Sequence, residues 1–154
     1  MLGKTRLFIS ALALALISSK AMCGEWKTLP RNDSGSTVAV SSENDDGGML
    51  VVACDTNTKM ISVELDEPRA HWQTGTPLSW ITKADVGTEF VPSKGIVIAP
   101  TRIIVKAQST FDIRAMGRAK MFFIVDVGHY SRIFPMTNFK TTIDSVLHAC
   151  GDHW

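Results

Sequence analysis

The sequence is short of the features that announce chemistry. No serine lies in a G-x-S-x-G frame, no Ser-x-x-Lys follows residue 23, and neither H-E-x-x-H nor C-x-x-C is present. These absences exclude the local signatures of hydrolase nucleophile elbows, zinc proteases and dithiol redox centres. There is no glycine-rich phosphate loop, so motif-borne nucleotide binding is excluded too. An excess of one charge is also lacking: 16 Lys+Arg stand against 15 Asp+Glu, for a net of +1. Such a chain has no electrostatic footprint for nucleic acid and no polybasic membrane patch. After the N-terminal apolar run there is no second hydrophobic span. Nothing in the motifs assigns a cofactor, a metal or a catalytic residue.

What is present begins with that apolar run. Lys4 and Arg6 form a short basic stretch, Leu7 to Ile17 is apolar with one serine, and small polar residues follow. This order is that of a secretory signal peptide. The run is too short for the roughly 20 residues that span a bilayer. Ser19-Lys20-Ala21 and Ala21-Met22-Cys23 both offer a cleavage site, and Cys23 is also a conceivable lipoprotein position. The cysteine count favours cleavage after Cys23, which makes residues 1–23 the signal and 24–154 a single secreted domain. Lys4, Arg6 and Lys20 leave with the signal, so 16 basic residues less these three gives 13 against 15, a net of −2. The mature length suits one modest core.

Three cysteines are present, at 23, 54 and 150. With Cys23 removed, Cys54 and Cys150 remain as a pair, and in an oxidising compartment they form a disulfide. The alternative is two buried free thiols. Cleavage after Ala21 instead leaves Cys23 as an unpaired thiol. The bridge closes a loop of roughly 95 residues, for which the chain-entropy model gives about 4–5 kcal/mol.

Residue patterning is mainly that of short strands. Thr37–Ser41 and Met49–Cys54 flank the turn Glu43-Asn44-Asp45-Asp46-Gly47-Gly48 and read as an antiparallel hairpin. Lys59–Leu65 alternates, Asp66–Pro77 is a loop, and Leu78–Lys83 is another strand. Phe90-Val91 starts a short strand that Pro92 ends. Gly95–Ala99 and Arg102–Lys106 are β-branched runs on either side of Pro100. Lys120–Val127, the most hydrophobic stretch, reads as a central strand buried on both faces. The period then changes: Phe139, Ile143, Val146, Leu147 and Cys150 share one helix face, with Thr137 or Asn138 to cap it and Gly151 to end it. The expected fold is mainly β, a single sandwich or barrel-like domain of about eight strands with one C-terminal helix.

Candidate sites are few. Arg69, His71 and Trp72 lie on the longest loop and Trp80 follows a few residues on, and arginine with aromatics is the usual composition of a protein-binding anchor. The competing role for Trp72 is to fold back over an open end of the sheet. His129-Tyr130 is either an acid–base pair or, with the tyrosine buried, an anchor for the crossing from strand to helix. His148, Cys150, Asp152 and His153 are zinc-ligand types, but Cys150 serves the disulfide and the rest is chain end. Glu43, Asp45 and Asp46 lack the remainder of a calcium loop and read as a solvated turn. Asn32-Asp33-Ser34 is a formal glycosylation sequon.

Taken in order, the signal peptide, Trp26, the strand Met49–Cys54 and the ending Phe139-x-x-x-Ile143-x-x-Val146-Leu147-x-x-Cys150 resemble small bacterial periplasmic proteins of unknown role. Some of those accompany type VI secretion systems. The resemblance covers most of the mature chain. It implies a disulfide-bonded periplasmic domain and carries no catalytic residues with it. The functional expectation is a periplasmic or secreted, non-enzymatic binding module (a secretion accessory, an inhibitor or an immunity-type protein), whose partner is another envelope or secreted protein. The alternatives are a small envelope hydrolase using His71 or His129 with an acidic partner, and a carrier enclosing a small ligand in an apolar cavity.

Overall fold

The structure is a computed structural model that describes residues 24–31, 35–85, 90–108, 113 and 116–151. The expected signal peptide, the sequon and Asp152–Trp154 lie outside the described residues. Nine strands run in chain order: β1 (Lys27–Thr28), β2 (Thr37–Glu43), β3 (Met49–Asp55), β4 (Met60–Asp66), β5 (Pro77–Ala84), β6 (Phe90–Ala99), β7 (Arg102–Gln108), β8 (Phe122–Val127) and β9 (Tyr130–Pro135). A helix, Phe139–Ala149, follows. The strands form one antiparallel sheet in the order β1-β2-β3-β4-β7-β6-β5-β8-β9. The mainly β architecture with one C-terminal helix is therefore as expected. Its form is a single open sheet.

Alternation of side chains decides which face is buried. Leu50, Val52 and Cys54 on β3 are paired with Leu65, Val63 and Ile61 on β4, and all six are buried. Phe123, Val125 and Val127 continue the same pattern on β8. The two ends of the sheet approach one another around Trp26. Its backbone N–H donates to the Thr137 carbonyl (3.1 Å) and its indole Nε1 donates to the Pro135 carbonyl (2.8 Å). Its ring lies edge-on to Phe139 at 4.9 Å and 6.0 Å from Phe123. Among the described residues no ladder joins β9 to β1 or β2, so the sheet curls without closing.

Three elements differ from the sequence reading. Pro92 does not end a strand: β6 runs through it, with Pro92 opposite Ile81 on β5. On its other side β6 meets β7 only from Ile96 onward, so Pro92 sits where one flank has no ladder and its missing N–H is not needed. The stretch 120–127 is not central; β8 lies next to the sheet edge and buries one face only. Beyond it the chain does not cross to the helix but turns at Gly128-His129 into β9.

Gly95, where β6 reaches β7, has a steric reason for lacking a side chain. A Cβ there would lie 2.5 Å from Ile103 Cδ1, and Ile103 is fully buried. Gly95→Ala is expected to destabilise the fold by about 1–3 kcal/mol, the usual result of overpacking; a urea midpoint unchanged from wild type would refute this.

The helix buries Phe139, Ile143, Val146 and Leu147, the predicted face. Asn138 occupies the N-cap in a left-handed conformation (φ 61°) without a side-chain cap, and Gly151 (φ 79°) ends the helix. The helix packs on β2 and β3. The Cys54–Cys150 disulfide fastens its last turn to β3, with a Cα–Cα distance of 5.8 Å. No helix among the described residues is long and apolar enough to cross a membrane.

Candidate binding surface

The loop between β4 and β5 is pinned at its base by a buried carboxylate. Glu67 follows β4 directly and is fully buried. Its Oε1 accepts the Arg69 N–H (3.1 Å), its carbonyl accepts the Ala70 N–H (2.9 Å), and its own N–H donates to the Thr101 carbonyl (2.7 Å). Leaving a buried carboxylate unpaired is costly, and here its partner comes from far along the chain. Arg132 on β9 donates from Nε to Glu67 Oε2, with its side chain only 12% exposed. The Glu67 carboxylate raises the Arg132 guanidinium pKa above its ordinary value, against an opposing pull from burial.

Above this ion pair sits an aromatic layer. The Arg132 guanidinium lies 5.4 Å from the centre of the Tyr130 ring. Tyr130 donates its hydroxyl to the Arg69 carbonyl (2.9 Å). Trp72 meets the Tyr130 ring edge-on at 5.5 Å, and its backbone N–H donates to the Pro100 carbonyl (2.8 Å). Arg69 reaches out to Asp46 in the β2–β3 turn (3.2 Å), with both side chains more than half exposed. Segment 67–72 is thus held to β9, to the β6–β7 turn and to the β2–β3 turn.

Arg69, His71 and Trp72 are brought together on this braced loop, Arg69 and His71 exposed and Trp72 half-buried. Trp72 packs against the edge of the core, so it partly covers the sheet end as well as presenting a face. Trp80 does not share the surface. It is a core residue of β5, 4% exposed, with its indole donating to Thr82 Oγ1 (3.1 Å). Sequence reasoning missed Glu67 and Arg132 altogether and left Tyr130 as a strand-to-helix anchor. The only trace in the sequence is Tyr130 and Phe134 two positions to either side of Arg132, an apolar alternation that the arginine interrupts.

The other candidate residues are placed as follows. His71 and His129 are exposed, and among the described residues neither makes a hydrogen bond or ion pair. Among the described residues, the core is filled by Trp26, Phe123, Phe134, Phe139, Leu50 and Leu65. Cys150 is in the disulfide. Among the described residues no cluster of His, Cys, Asp or Glu could hold a metal ion. In the acidic turn, Asn44 Oδ1 accepts the N–H groups of Asp46 and Gly48, which makes it a side-chain-closed hairpin turn.

Comparison with known proteins found no matching family model, no matching curated protein and no matching solved structure.

Proposed function

We propose that this protein is exported, its signal being residues 1–23, and acts in the periplasm or outside the cell as a non-enzymatic binding module. The observation that carries this reading is the braced loop: Arg69, His71 and a face of Trp72 stand on a platform fixed by the Glu67–Arg132 pair and Tyr130. Aromatic and arginine side chains held in place bind at low entropic cost, the property of interface anchors. The Cys54–Cys150 disulfide fits an oxidising compartment. The partner is another envelope or secreted protein, and the roles consistent with this are secretion accessory, inhibitor or immunity-type protein.

The test is in-cell crosslinking of the tagged, exported protein followed by mass spectrometry of what it captures. One dominant envelope or secreted protein is expected. Its capture should fall at least about tenfold in Trp72→Ala and in the pair Arg69→Ala/His71→Ala. The second variant touches only an exposed ion pair, worth about 0–1 kcal/mol, so its melting temperature should stay near wild type. Capture that is indifferent to both variants would remove the loop from the contact surface.

A further inference from the structure

The two edges of the sheet are guarded unequally. Exposed strand edges attract other strands, and proteins blunt them with shortness, charge or proline. At one edge β1 is only two residues long. At the other, β9 has six residues, of which the outward-facing ones are Ser131, Ile133 and Pro135.

The register shows which backbone groups of β9 are used. Val127↔Tyr130, Val125↔Arg132 and Phe123↔Phe134 lie opposite each other across a two-residue turn. In such a hairpin the closing pair exchanges both hydrogen bonds, and every second pair beyond it does the same. Ser131, Ile133 and Pro135 therefore turn their backbone groups away from β8. Two observed bonds agree: the Ser131 carbonyl accepts Arg132 Nη1 (2.9 Å), and the Pro135 carbonyl accepts the Trp26 indole (2.8 Å). The Ile133 N–H and C=O have no such partner among the described residues.

Beside this edge runs a groove of about 480 Å³. It is lined by Met121, Phe122 and the outer face of β9 together with Gly24 and Asn44–Asp46. Met121 is 69% and Ile133 55% exposed, two large apolar side chains in contact with water. Among the described residues, the charged side chains lining the groove are Asp45 and Asp46, the latter half-exposed beside Arg69 at 3.2 Å. We infer that this groove takes an extended segment of a partner protein, added to β9 as a further strand. An apolar side chain of that segment would rest on Ile133 and Met121, and a basic one would face Asp45 and Asp46. Backbone pairing supplies affinity in this mode and the side chains supply selectivity. The inference rests on the reading as a binding module but not on the Trp72 face.

The experiment uses the exported, oxidised protein, labelled with nitrogen-15, and two blocked hexapeptides, one alternating lysine with valine and the other glutamate with valine. The lysine peptide is expected to shift the Ser131 and Ile133 amide signals saturably and slow their hydrogen exchange. The glutamate peptide should bind at least about tenfold more weakly. Ile133→Pro removes an N–H that the β8 ladder does not use, so the lysine peptide should no longer bind while the melting temperature holds. Should that variant not fold, Ile133→Lys, at an exposed position, should fold and show the same loss. Trp72→Ala should leave peptide binding unchanged, which separates this groove from the loop surface. Shifts that map elsewhere, equal binding of both peptides, or dimerisation through β9 without peptide would each overturn the inference.

Discussion

Replacing Arg132 with leucine is expected to lower stability by about 3–5 kcal/mol, the usual result of removing one partner from a buried ion pair. Glu67 is fully buried, and Arg132 supplies its charged partner. Without the guanidinium, the carboxylate keeps one hydrogen bond, from the Arg69 N–H, in a site water does not reach. For a domain of this size each kcal/mol moves the melting temperature by about 3–5 °C, so a drop of at least about 10 °C should appear in a thermal melt. The double variant Glu67→Leu/Arg132→Leu should recover more than half of the loss, because neither charge is then buried alone. If the single variant costs under about 1 kcal/mol, or the double variant is no better than the single, the ion pair does not hold the loop. Partner capture should fall with the single variant too, since Tyr130 and segment 67–72 rest on this pair.

That pair also marks the boundary of what the sequence made legible. The helix was readable because its apolar residues keep a single period over three turns, from Phe139 to Cys150. The β2–β3 hairpin was readable because Gly47-Gly48 and the acidic turn punctuate two apolar runs. β9 was not, for a physical reason: its inward position 132 is an arginine, so the apolar alternation is broken at the residue that pairs with Glu67. The two partners stand 65 residues apart in the chain, and neither residue alone announces the other. Pro92 misled in the opposite direction. A proline argues against a strand unless one flank lacks a ladder, and which flank lacks one is a property of the whole sheet. The same holds for Trp80: a tryptophan two residues into a polar-edged strand gives no sign of its face until the register with β8 places it opposite Val127. Arg69, His71 and Trp72 were legible as a loop surface because the two prolines and the glycine between Asp66 and Pro77 already exclude a regular element.

Reducing the Cys54–Cys150 bridge should cost about 4–5 kcal/mol, on the chain-entropy account of a crosslink between residues 96 apart. Reduction of the wild-type protein is the cleaner perturbation, because Cys54 is fully buried and a serine there would add an unsatisfied hydroxyl. The expected fall in melting temperature is about 15 °C. The loss should not fall evenly over the molecule. Phe139, Ile143, Val146 and Leu147 keep their burial, and Trp26 holds the first turn through Phe139. The last turn, by contrast, loses its covalent tie to β3 and retains the Lys59 Nζ bond to the Ala149 carbonyl (2.9 Å). Hydrogen exchange should therefore accelerate first at Leu147–Cys150, well before the β3–β4 ladder opens. Intact mass of the exported protein, with and without reduction before alkylation, tests the premise: two cysteines should become alkylatable only after reduction. Uniform acceleration across helix and sheet would mean that the bridge acts on the unfolded chain alone, with no local clamping of the helix end. A loss under about 1 kcal/mol would mean that the helix docks by its apolar face without help from the bridge.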